Sequence, residues 1–566
     1  MTTFSEMRYE RPDLDAQFEE MMGLVQKMRD AGDKDALLSA MAELDRKTRR
    51  LGTMATLANI RYTIDTKDEF YDTERNHYDE QLPRFAQIGT EAARAVLQSS
   101  FRQDVADKYG EHLLEKFEVQ LKTFKPEIVE DMIEENKLGS EYEKLMASAE
   151  IDFEGEVRNL SGMGPFVEST DRGMRKRAND AMWGWIAAHQ QELDDIFDKL
   201  VKVRHRIGQK MGYENFIPVA YARMGRTDWD QQDAKRYREQ IVHSVVPLAS
   251  KMYREQAERI GVKDLKNYDT ALMFLSGNPT PKGEEAYLVD QAKVMYRELS
   301  PQTDAFFQTM VEQELMDLTT KPGKAPGGYM TFIDDYKVPF IFSNFNGTSG
   351  DVDVLTHEAG HAFQGWMQRD VPLKALTEMT MEVAEIHSMS MEFFTHPWME
   401  RFFKEDTEKY YYAHVVDALK FLPYGASIDE LQEWVYEHPE ATPAERRAQY
   451  REIEKKYLPH LDYDGFAYLE QGGRWQKQGH VFGAPFYYLD YTLSQVVALQ
   501  YFAWDMKDHE AAWQSYLKVC ELAGQVPFKK MMPMVGMQSP FEPGVIAGIT
   551  PALETYLDGL DKSRIR

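Results

Sequence analysis

The chain has 566 residues, of which 43% are hydrophobic and 12% aromatic, so it can bury a large core and is not a disordered protein. Its formal net charge of -27 disfavours nucleic acid and anionic membrane surfaces as partners, because an acidic protein surface repels both. Cys520 is the only cysteine, which excludes an intramolecular disulfide.

The N-terminal stretch MTTFSEMRYERPDLDAQFEEMMG has neither the basic segment nor the apolar segment of a secretory signal. No uncharged apolar run reaches the roughly 18 residues that a bilayer-spanning helix needs. We therefore predict a cytoplasmic protein with no membrane partner.

Up to about residue 275 the sequence shows the spacing of amphipathic helices. Hydrophobic residues that recur at spacings of four and three lie on one helix face. The first such set is Leu14, Phe18, Met21, Val25 and Met28. Similar charged segments follow with short turns between them and no fixed-period repeat. The pattern predicts a mainly α-helical protein.

A short region of strand-like sequence follows two Pro/Gly loops, at 275–285 and 320–330. The stretch YMTFIDDYKVPFIFSNFNGTSG is rich in aromatic and β-branched residues, which are typical of short strands. Pro339 cannot donate to a central ladder, so we predict that its strand is an edge of one small β-sheet. The helical pattern returns at Asp351 and continues to the end.

The stretch VLTHEAGHAF places His357 and His361 four residues apart, with Glu358 directly after the first histidine. On an α-helix this spacing puts both imidazoles on one face, about 5–6 Å apart at Cβ, where they can bind one zinc ion. Glu358 could then act as general base on a water molecule. Ser349 or Asp351 could cap this helix. Paired histidines on a solvated face are also common, so the motif alone does not decide.

A catalytic zinc usually has a third protein ligand. The following segment, LTEMTMEVAEIHSMSMEFF, offers Glu378, Glu382, Glu385 and Glu392. The first three share a helix face, so periodicity does not choose among them. The methionines around them indicate a buried helix, in which a carboxylate needs a partner such as a cation. We interpret His387 as a core or supporting histidine rather than a ligand.

A third segment, GGRWQKQGHVFGAPFYYLDYTLSQ, contains His480 and three tyrosines near a helix that could start at Pro485. Tyr488 and Tyr491 are three residues apart on one face, and Tyr487 and Tyr491 are four apart. Such donors could stabilise the oxyanion that forms when water attacks a carbonyl. Tyrosines at helical spacing are more often packing residues, so composition alone does not make them catalytic.

Three ordered blocks resemble the metallopeptidases of thimet oligopeptidase and oligoendopeptidase F, and most closely the oligoendopeptidase F and Pz-peptidase branch. They are GKAPGGYMTF…PFIFSNFNGTSGDVDVLTHEAGHAF (323–363), EVAEIHSMSME (382–392) and GHVFGAPFYYLDYTLSQ (479–495). The N-terminal YERPDLDAQFEEMM resembles the same branch, so the likeness extends over most of the chain. The joint occurrence of these blocks is far more specific than H-E-x-x-H alone.

The resemblance implies that His357, His361 and Glu385 bind one Zn²⁺ per chain and that Glu358 is the catalytic base. Glu385 lies in the segment AEIHSM, which matches the third-ligand segment of the family. Family members commonly carry a further histidine where this sequence has Gln364. That position is not a zinc ligand in the family, so the departure affects only support around the site.

The same resemblance implies that His480, Tyr488 and Tyr491 are catalytic residues that bind the substrate carbonyl and the oxyanion. The match around PFYYLDY could shift by one residue. Tyr487 is therefore kept as an alternative and as a substrate-binding residue.

The family fold is almost entirely helical, with a deep channel that encloses the zinc and a small sheet along its wall. We expect residues 1–200 to form one wall of the channel and residues 201–566 to form the catalytic region. An edge strand PFIFSNFNG would bind an extended peptide through main-chain groups, with Phe342 and Asn344 as substrate-binding residues.

The implied function is zinc-dependent hydrolysis of internal peptide bonds in short, unstructured peptides. Two other interpretations stay open. One is a zinc carboxypeptidase, because some helical carboxypeptidases also pair H-E-x-x-H with a distant glutamate. The other is a non-catalytic acidic helical scaffold in which the histidines are structural. The sequence does not give the oligomeric state.

Overall fold

The computed structural model describes residues 2–321, 323–325 and 327–565. Pro322 and Pro326 of the second Pro/Gly loop lie outside the described residues. Within them the chain is mainly α-helical, as predicted, with 26 α-helices and two small β-sheets.

Thirteen α-helices form the first part of the chain, where the sequence predicted helix after helix. They are α1 (Leu14–Arg29), α2 (Lys34–Ile64), α3 (Glu69–Gln81), α4 (Ala86–Gln98), α5 (Arg102–Tyr109), α6 (Glu111–Gln120), α7 (Val129–Ala147), α8 (Gly164–Val167), α9 (Arg172–Ala188), α10 (Gln190–Met211), α11 (Ile217–Arg223), α12 (Gln231–Gln240) and α13 (Val246–Arg259). Asp13 and Asp33 accept hydrogen bonds from the N–H groups of Ala16 and Ala36, which caps α1 and α2.

Thirteen more α-helices form the second part. Two of them precede the strands of the larger sheet in the sequence, and the others follow these strands. They are α14 (Glu285–Leu299), α15 (Pro301–Glu312), α16 (Gly350–Met367), α17 (Met381–Phe394), α18 (Met399–Phe403), α19 (Thr407–Glu437), α20 (Pro443–Tyr457), α21 (Ala467–Glu470), α22 (Gly479–Gly483), α23 (Tyr488–Asp505), α24 (His509–Leu522), α25 (Phe528–Met534) and α26 (Val545–Gly559).

Helix α17 packs between α16 and α23, and this three-helix layer carries the candidate site. The approach of α16 to α17 is very close at Gly360. A Cβ atom there would lie 2.5 Å from the carbonyl oxygen of His387 on α17. Only glycine allows this contact, so Gly360 sets the distance between the two helices that carry the predicted ligands.

The five strands form two sheets rather than the single sheet that we predicted. β1 (Ile151–Phe153) and β2 (Glu156–Arg158) form an antiparallel hairpin that the sequence analysis did not identify. β3 (Met316–Thr319), β4 (Tyr329–Ile333) and β5 (Val338–Phe345) form the sheet next to α16, in the order β3-β5-β4. β3 is parallel and β4 antiparallel to β5.

The prediction that the strand of Pro339 is an edge is wrong, because β5 is the central strand. Pro339 is opposite Phe332 of β4, whereas β3 first pairs with β5 at Ile341. The N–H of Ile341 donates to the carbonyl of Leu315 at 2.9 Å. The nitrogen of Pro339, two residues earlier, points to the same side but lies beyond the end of β3, so no ladder bond is lost.

One large hydrophobic core extends from Met7 to Ile565 and includes residues of both predicted regions. A smaller core lies among the N-terminal helices and includes Leu373 and Leu376. Residue 200 lies inside α10, and the division into 1–200 and 201–566 stays a prediction. In the described parts of the chain, no helix has the length and apolar character needed to cross a membrane.

Candidate metal centre and active site

Helix α16 begins directly after β5, and a short turn sets its orientation. The carboxylate of Asp351 accepts hydrogen bonds from the N–H groups of Asn346 and Gly347, at 2.9 and 2.8 Å. Ser349 precedes the helix but makes no side-chain capping bond. Neither of the two proposed caps therefore bonds to the helix itself, and Asp351 stabilises the turn instead.

The three predicted ligands converge. His357 and His361 lie on one face of α16, with ring centroids 5.1 Å apart. Glu385 of α17 places Oε2 3.3 Å from Nε2 of each histidine. One ligand atom from each residue lies within 4.8 Å of the other two. Two imidazoles and one carboxylate that meet at a common point are a typical zinc donor set, so these residues fit the metal that the resemblance implies.

Two of the alternative carboxylates, Glu378 and Glu382, lie in different surroundings. Glu378 precedes α17 and is exposed. Glu382 is buried and accepts a hydrogen bond from Nε1 of Trp229 at 2.8 Å. Burial would raise the pKa of Glu385, but the two histidines outweigh it and hold this pKa well below its usual value. The geometry therefore separates Glu385 from the glutamates that periodicity left equivalent.

A chain of hydrogen bonds behind His357 was not identified from the sequence. Nδ1 of His357 donates to Glu392 at 2.6 Å, and Nε2 of His414 lies 2.7 Å from the other oxygen of Glu392. Nδ1 of His414 lies 2.8 Å from Nε2 of His396. Burial opposes ionisation of Glu392, but the two histidines beside it lower its pKa to about 2. A carboxylate in this position orients a ligating imidazole and increases its basicity.

One of the residues behind His357, Glu392, could have been identified from the sequence. Glu392 follows Glu385 by seven residues, two helical turns, and therefore lies on the same face of α17. His414 and His396 come from α19 and from the 3-10 helix His396–Trp398, and nothing in their local sequence relates them to His357.

Glu358 lies between the two histidines along α16 and is only partly buried. Burial raises its pKa, and this effect is opposed by the charges of His357 and His361. Among the described residues none donates a hydrogen bond to its carboxylate. A carboxyl group with a raised pKa and no donor beside it is suited to accept a proton.

Tyr487 contacts the ligand set directly. Its hydroxyl donates to Oε1 of Glu385 at 2.7 Å, and its ring stacks on that of Tyr491 with centroids 4.8 Å apart. The hydroxyl of Tyr491 lies 3.4 Å from Nε2 of His480. Tyr488 is beside His480, with ring centroids 5.1 Å apart. Helix α23 begins at Tyr488 rather than near Pro485, so Tyr487 lies just before the helix and reaches Glu385.

The orientation of His480 follows from Gln478. The amide of Gln478 donates to Nδ1 of His480 at 2.7 Å, while its oxygen accepts from the hydroxyl of Tyr424 at 3.2 Å. With Nδ1 as acceptor, the proton of a neutral imidazole is on Nε2. Burial lowers the pKa of His480, which favours this neutral form. Nε2–H is then a donor next to Tyr491.

The side chains of the two residues predicted on the strand have partners within the protein. Phe342 is fully buried and stacks on Tyr329, with ring centroids 4.9 Å apart. This burial concerns the side chain only, and substrate binding through main-chain groups stays a prediction. The amide of Asn344 donates to the carbonyls of Ala325 and Gly327, at 2.9 and 2.8 Å, and holds the loop before β4.

Two neighbouring cavities lie between the N-terminal helices and the segment around Glu378. The first has a volume of about 550 Å³ and is lined by Tyr487, by Met381 and by side chains of the N-terminal helices such as Lys116. The second, of about 600 Å³, shares Arg223 and Glu378 with the first. Both cavities are lined by residues from before and after residue 200, and the first reaches the candidate site at Tyr487.

The sequence matches two descriptions of one peptidase family. The "Peptidase M3 N-terminal domain" matches residues 4–124, and "Peptidase family M3" matches residues 289–549. The curated relative named "Oligoendopeptidase F homolog", from Lactococcus lactis subsp. lactis, is 23% identical over 246 residues. This match covers 43% of the chain and 39% of the relative, so the aligned part spans about two fifths of that protein.

Solved structures match over nearly the whole chain. A protein assigned as oligoendopeptidase F is 49% identical, with a TM-score of 0.96 and 99% of each chain covered. Pz peptidase A, solved with an inhibitor, is 48% identical, with a TM-score of 0.95 and the same coverage. A protein assigned as oligoendopeptidase F from Bacillus anthracis strain Ames is 42% identical, with a TM-score of 0.91, covering 100% of this chain and 99% of that one. The chain belongs to peptidase family M3, and its resemblance to the oligoendopeptidase F and Pz-peptidase branch is confirmed.

Proposed function

We propose that the protein is a zinc-dependent endopeptidase that hydrolyses internal bonds of short, unstructured peptides. The observation that carries this proposal is the meeting point of His357, His361 and Glu385 beside Glu358, whose carboxylate has no donor from the described residues. In this proposal His357, His361 and Glu385 would hold one zinc ion. A zinc ion so bound supplies Lewis acidity, which allows water to attack near neutral pH.

Glu358 is the proton carrier in this mechanism. Its carboxylate takes a proton from the attacking water while the oxygen forms a bond to the peptide carbonyl carbon. When the carbon–nitrogen bond breaks, the same carboxyl group delivers the proton to the departing amine. Its raised pKa supports both steps, because a very acidic carboxyl group would be a poor acceptor.

His480 and Tyr491 bind the carbonyl oxygen as it gains negative charge. Nε2–H of His480 and the hydroxyl of Tyr491 are 3.4 Å apart, so both donors can point at one oxygen. Tyr487 holds Glu385 through its hydroxyl. Tyr488 packs beside His480 and Tyr424, and its catalytic role stays a prediction.

Substrate binding along the sheet is assigned to β4 rather than to β5. β4 is an outer strand, so its second edge has main-chain groups that an extended peptide can pair with. Most residues of β4 are partly exposed, in contrast to the buried β5. Pairing through the main chain binds peptides of many sequences, whereas folded proteins lack a free extended segment. Cytoplasmic location and the absence of nucleic-acid and membrane partners remain predictions.

The test is to map cleavage sites in a mixed peptide library by mass spectrometry, with and without a chelator. We expect internal cuts in peptides, including peptides with an amidated C-terminus, and loss of all cuts on chelation with recovery on adding zinc. Removal of single C-terminal residues only, with amidated peptides left intact, would assign a carboxypeptidase. A purified chain with no zinc and no cuts would favour the scaffold.

A further inference from the structure

Phe486, the residue directly before Tyr487, has an unusual backbone conformation. Its φ angle is 68°, in the left-handed region that glycine adopts readily and a bulky residue rarely does. The side chain is fully buried, and its ring centroid lies 5.4 Å from that of Tyr221. Such a conformation costs free energy and persists only where the surrounding structure holds it. The contacts of Phe486 therefore show which groups hold this conformation.

Both main-chain groups of Phe486 bond to buried side chains from distant parts of the chain. Its N–H donates to Oε1 of Gln432 on α19 at 2.8 Å, and its carbonyl accepts from Nη2 of Arg226 at 2.7 Å. These two partners lie 54 and 260 residues earlier in the sequence. The side chain of Arg226 is fully buried, and Gln432 is buried as well. The backbone of Phe486 is thus held from both sides.

Arg226 also binds the first turn of α23. The Nη2 atom that bonds to Phe486 donates to Oδ1 of Asp490 as well, again at 2.7 Å. The side chains of Arg226 and Asp490 are both fully buried, so each charge is compensated by the other. One nitrogen therefore connects the residue before Tyr487 with the residue before Tyr491.

Aromatic rings hold the guanidinium of Arg226 in place. It lies 4.3 Å from the ring centroid of Tyr221 and 4.0 Å from that of Trp229. Nε1 of Trp229 in turn donates to Glu382 at 2.8 Å, one helical turn before Glu385 on α17. Arg226 is therefore fixed between the two helices α17 and α23, which carry the third ligand and the tyrosines.

The conformation of Phe486 decides where α23 begins and where Tyr487 points. A residue with a φ angle of 68° cannot belong to a right-handed helix, so the helix cannot extend back through Phe486. The helix begins at Tyr488, and the hydroxyl of Tyr487 donates to Oε1 of Glu385 at 2.7 Å. A different φ angle at Phe486 would change the direction of the chain at Tyr487, because the two residues share a peptide bond.

We propose that Arg226 is a positioning residue of the candidate active site. Together with Gln432 it holds Phe486 in the left-handed conformation. This conformation directs the hydroxyl of Tyr487 to Glu385. The inference rests on the proposed function, in which Glu385 is a zinc ligand. Loss of a hydrogen-bond partner that orients a ligand typically lowers metal affinity by about 10- to 100-fold.

The experiment measures zinc affinity by competition with a chromophoric chelator, in single and double variants. Arg226→Met removes both bonds of Nη2, and we expect the affinity to fall by about 10- to 100-fold. Tyr487→Phe should lower it to a similar extent. Arg226→Met should then cause little further loss in the Tyr487→Phe chain, because both changes remove the same interaction. A full further loss would overturn the inference, since Arg226 would then act on the site by another route.

Gln432→Met tests the same inference in a chain that keeps the pair of Arg226 and Asp490. It removes the acceptor of the Phe486 N–H and leaves no charge unpaired, so it disturbs folding less than Arg226→Met. We expect a lower zinc affinity here too, again with little further loss in the Tyr487→Phe chain. An unchanged affinity in Gln432→Met would overturn the inference.

Arg175→Met is the matched control. Arg175 is another buried arginine, and its guanidinium bonds to the carbonyl of Ser169 and to the buried Asp269, each at 2.8 Å. This change should lower the melting temperature as Arg226→Met does but leave the zinc affinity unchanged. Equal losses of affinity in the two variants would mean that Arg226 supports the fold in general, and would overturn the inference.

The measured quantity is metal binding and not cleavage, which separates this inference from the proposed function. A wild-type chain that binds zinc but cuts no peptide would contradict the proposed function alone, and the affinities of the variants would still decide the role of Arg226. A wild-type chain that binds no zinc would overturn both.

Discussion

The candidate metal centre and the surroundings of Arg474 are both connected to His480 and differ in whether their charges are compensated. At the metal centre, Glu385 and two imidazoles direct electron pairs at one point. Burial lowers the pKa of Arg474, but the neighbouring tyrosines and Glu454 outweigh it and raise this pKa. The first arrangement calls for a cation, whereas the second needs no ligand. Uncompensated groups inside a protein therefore indicate the place of a ligand and its charge.

The largest effect should come from the base at the metal centre. Glu358→Gln keeps the shape of the side chain but cannot accept a proton, so turnover should fall by about 100- to 10,000-fold. Zinc content, measured by atomic absorption, should stay near one per chain. The control is Glu378→Gln, an exposed glutamate outside the ligand set, which should keep turnover. Substantial activity in Glu358→Gln would remove Glu358 from this role.

The donors between the two regions should have the next largest effect. Tyr491→Phe removes one hydroxyl next to His480, so kcat should fall by about 100- to 1,000-fold while KM changes little. Tyr287→Phe is a matched control, because its partly buried hydroxyl bonds to the carbonyl of Arg401 and not to a group at the candidate site. If both variants lost the same activity, the tyrosine next to His480 would be a packing residue.

Substitutions of the glutamates in and just before α17 should lower the zinc affinity to different extents. Glu385→Ala should lower zinc affinity most, and Glu392→Gln should lower it by about 10- to 100-fold through the loss of support for His357. Glu378→Ala should leave it unchanged. The measurement is competition with a chromophoric chelator. A larger loss in Glu378→Ala than in Glu385→Ala would mean that the assigned third ligand is wrong.

The three-stranded sheet shows where sequence patterns mislead. Pro339 correctly indicated a strand position without a ladder bond, but this position is the overhang of a central strand past the end of β3. The proline removes a single backbone N–H, which is a local effect. The order of the strands depends instead on the segment Met316–Thr319, which lies elsewhere in the sequence. The burial of Phe342 follows from that central position.

The tyrosines show that sequence patterns can also fail to predict contacts within a short segment. Helical spacing grouped Tyr487, Tyr488 and Tyr491, but the contact of each one depends on the residue at which α23 begins. Since the helix begins at Tyr488, the hydroxyl of Tyr487 reaches Glu385. A change of one residue in the helix start redirects every side chain by about 100° around the axis.

The order of residues along the chain is enough to predict its helical character and the pairing of His357 with His361, because both depend on spacing within a few turns. The joint occurrence of three ordered sequence blocks was also enough to identify the family resemblance. The packing of distant segments, by contrast, brings Glu385 beside both histidines and joins His414 and His396 to the hydrogen bonds behind His357. These features depend on distances between segments far apart in the chain, which no local pattern records.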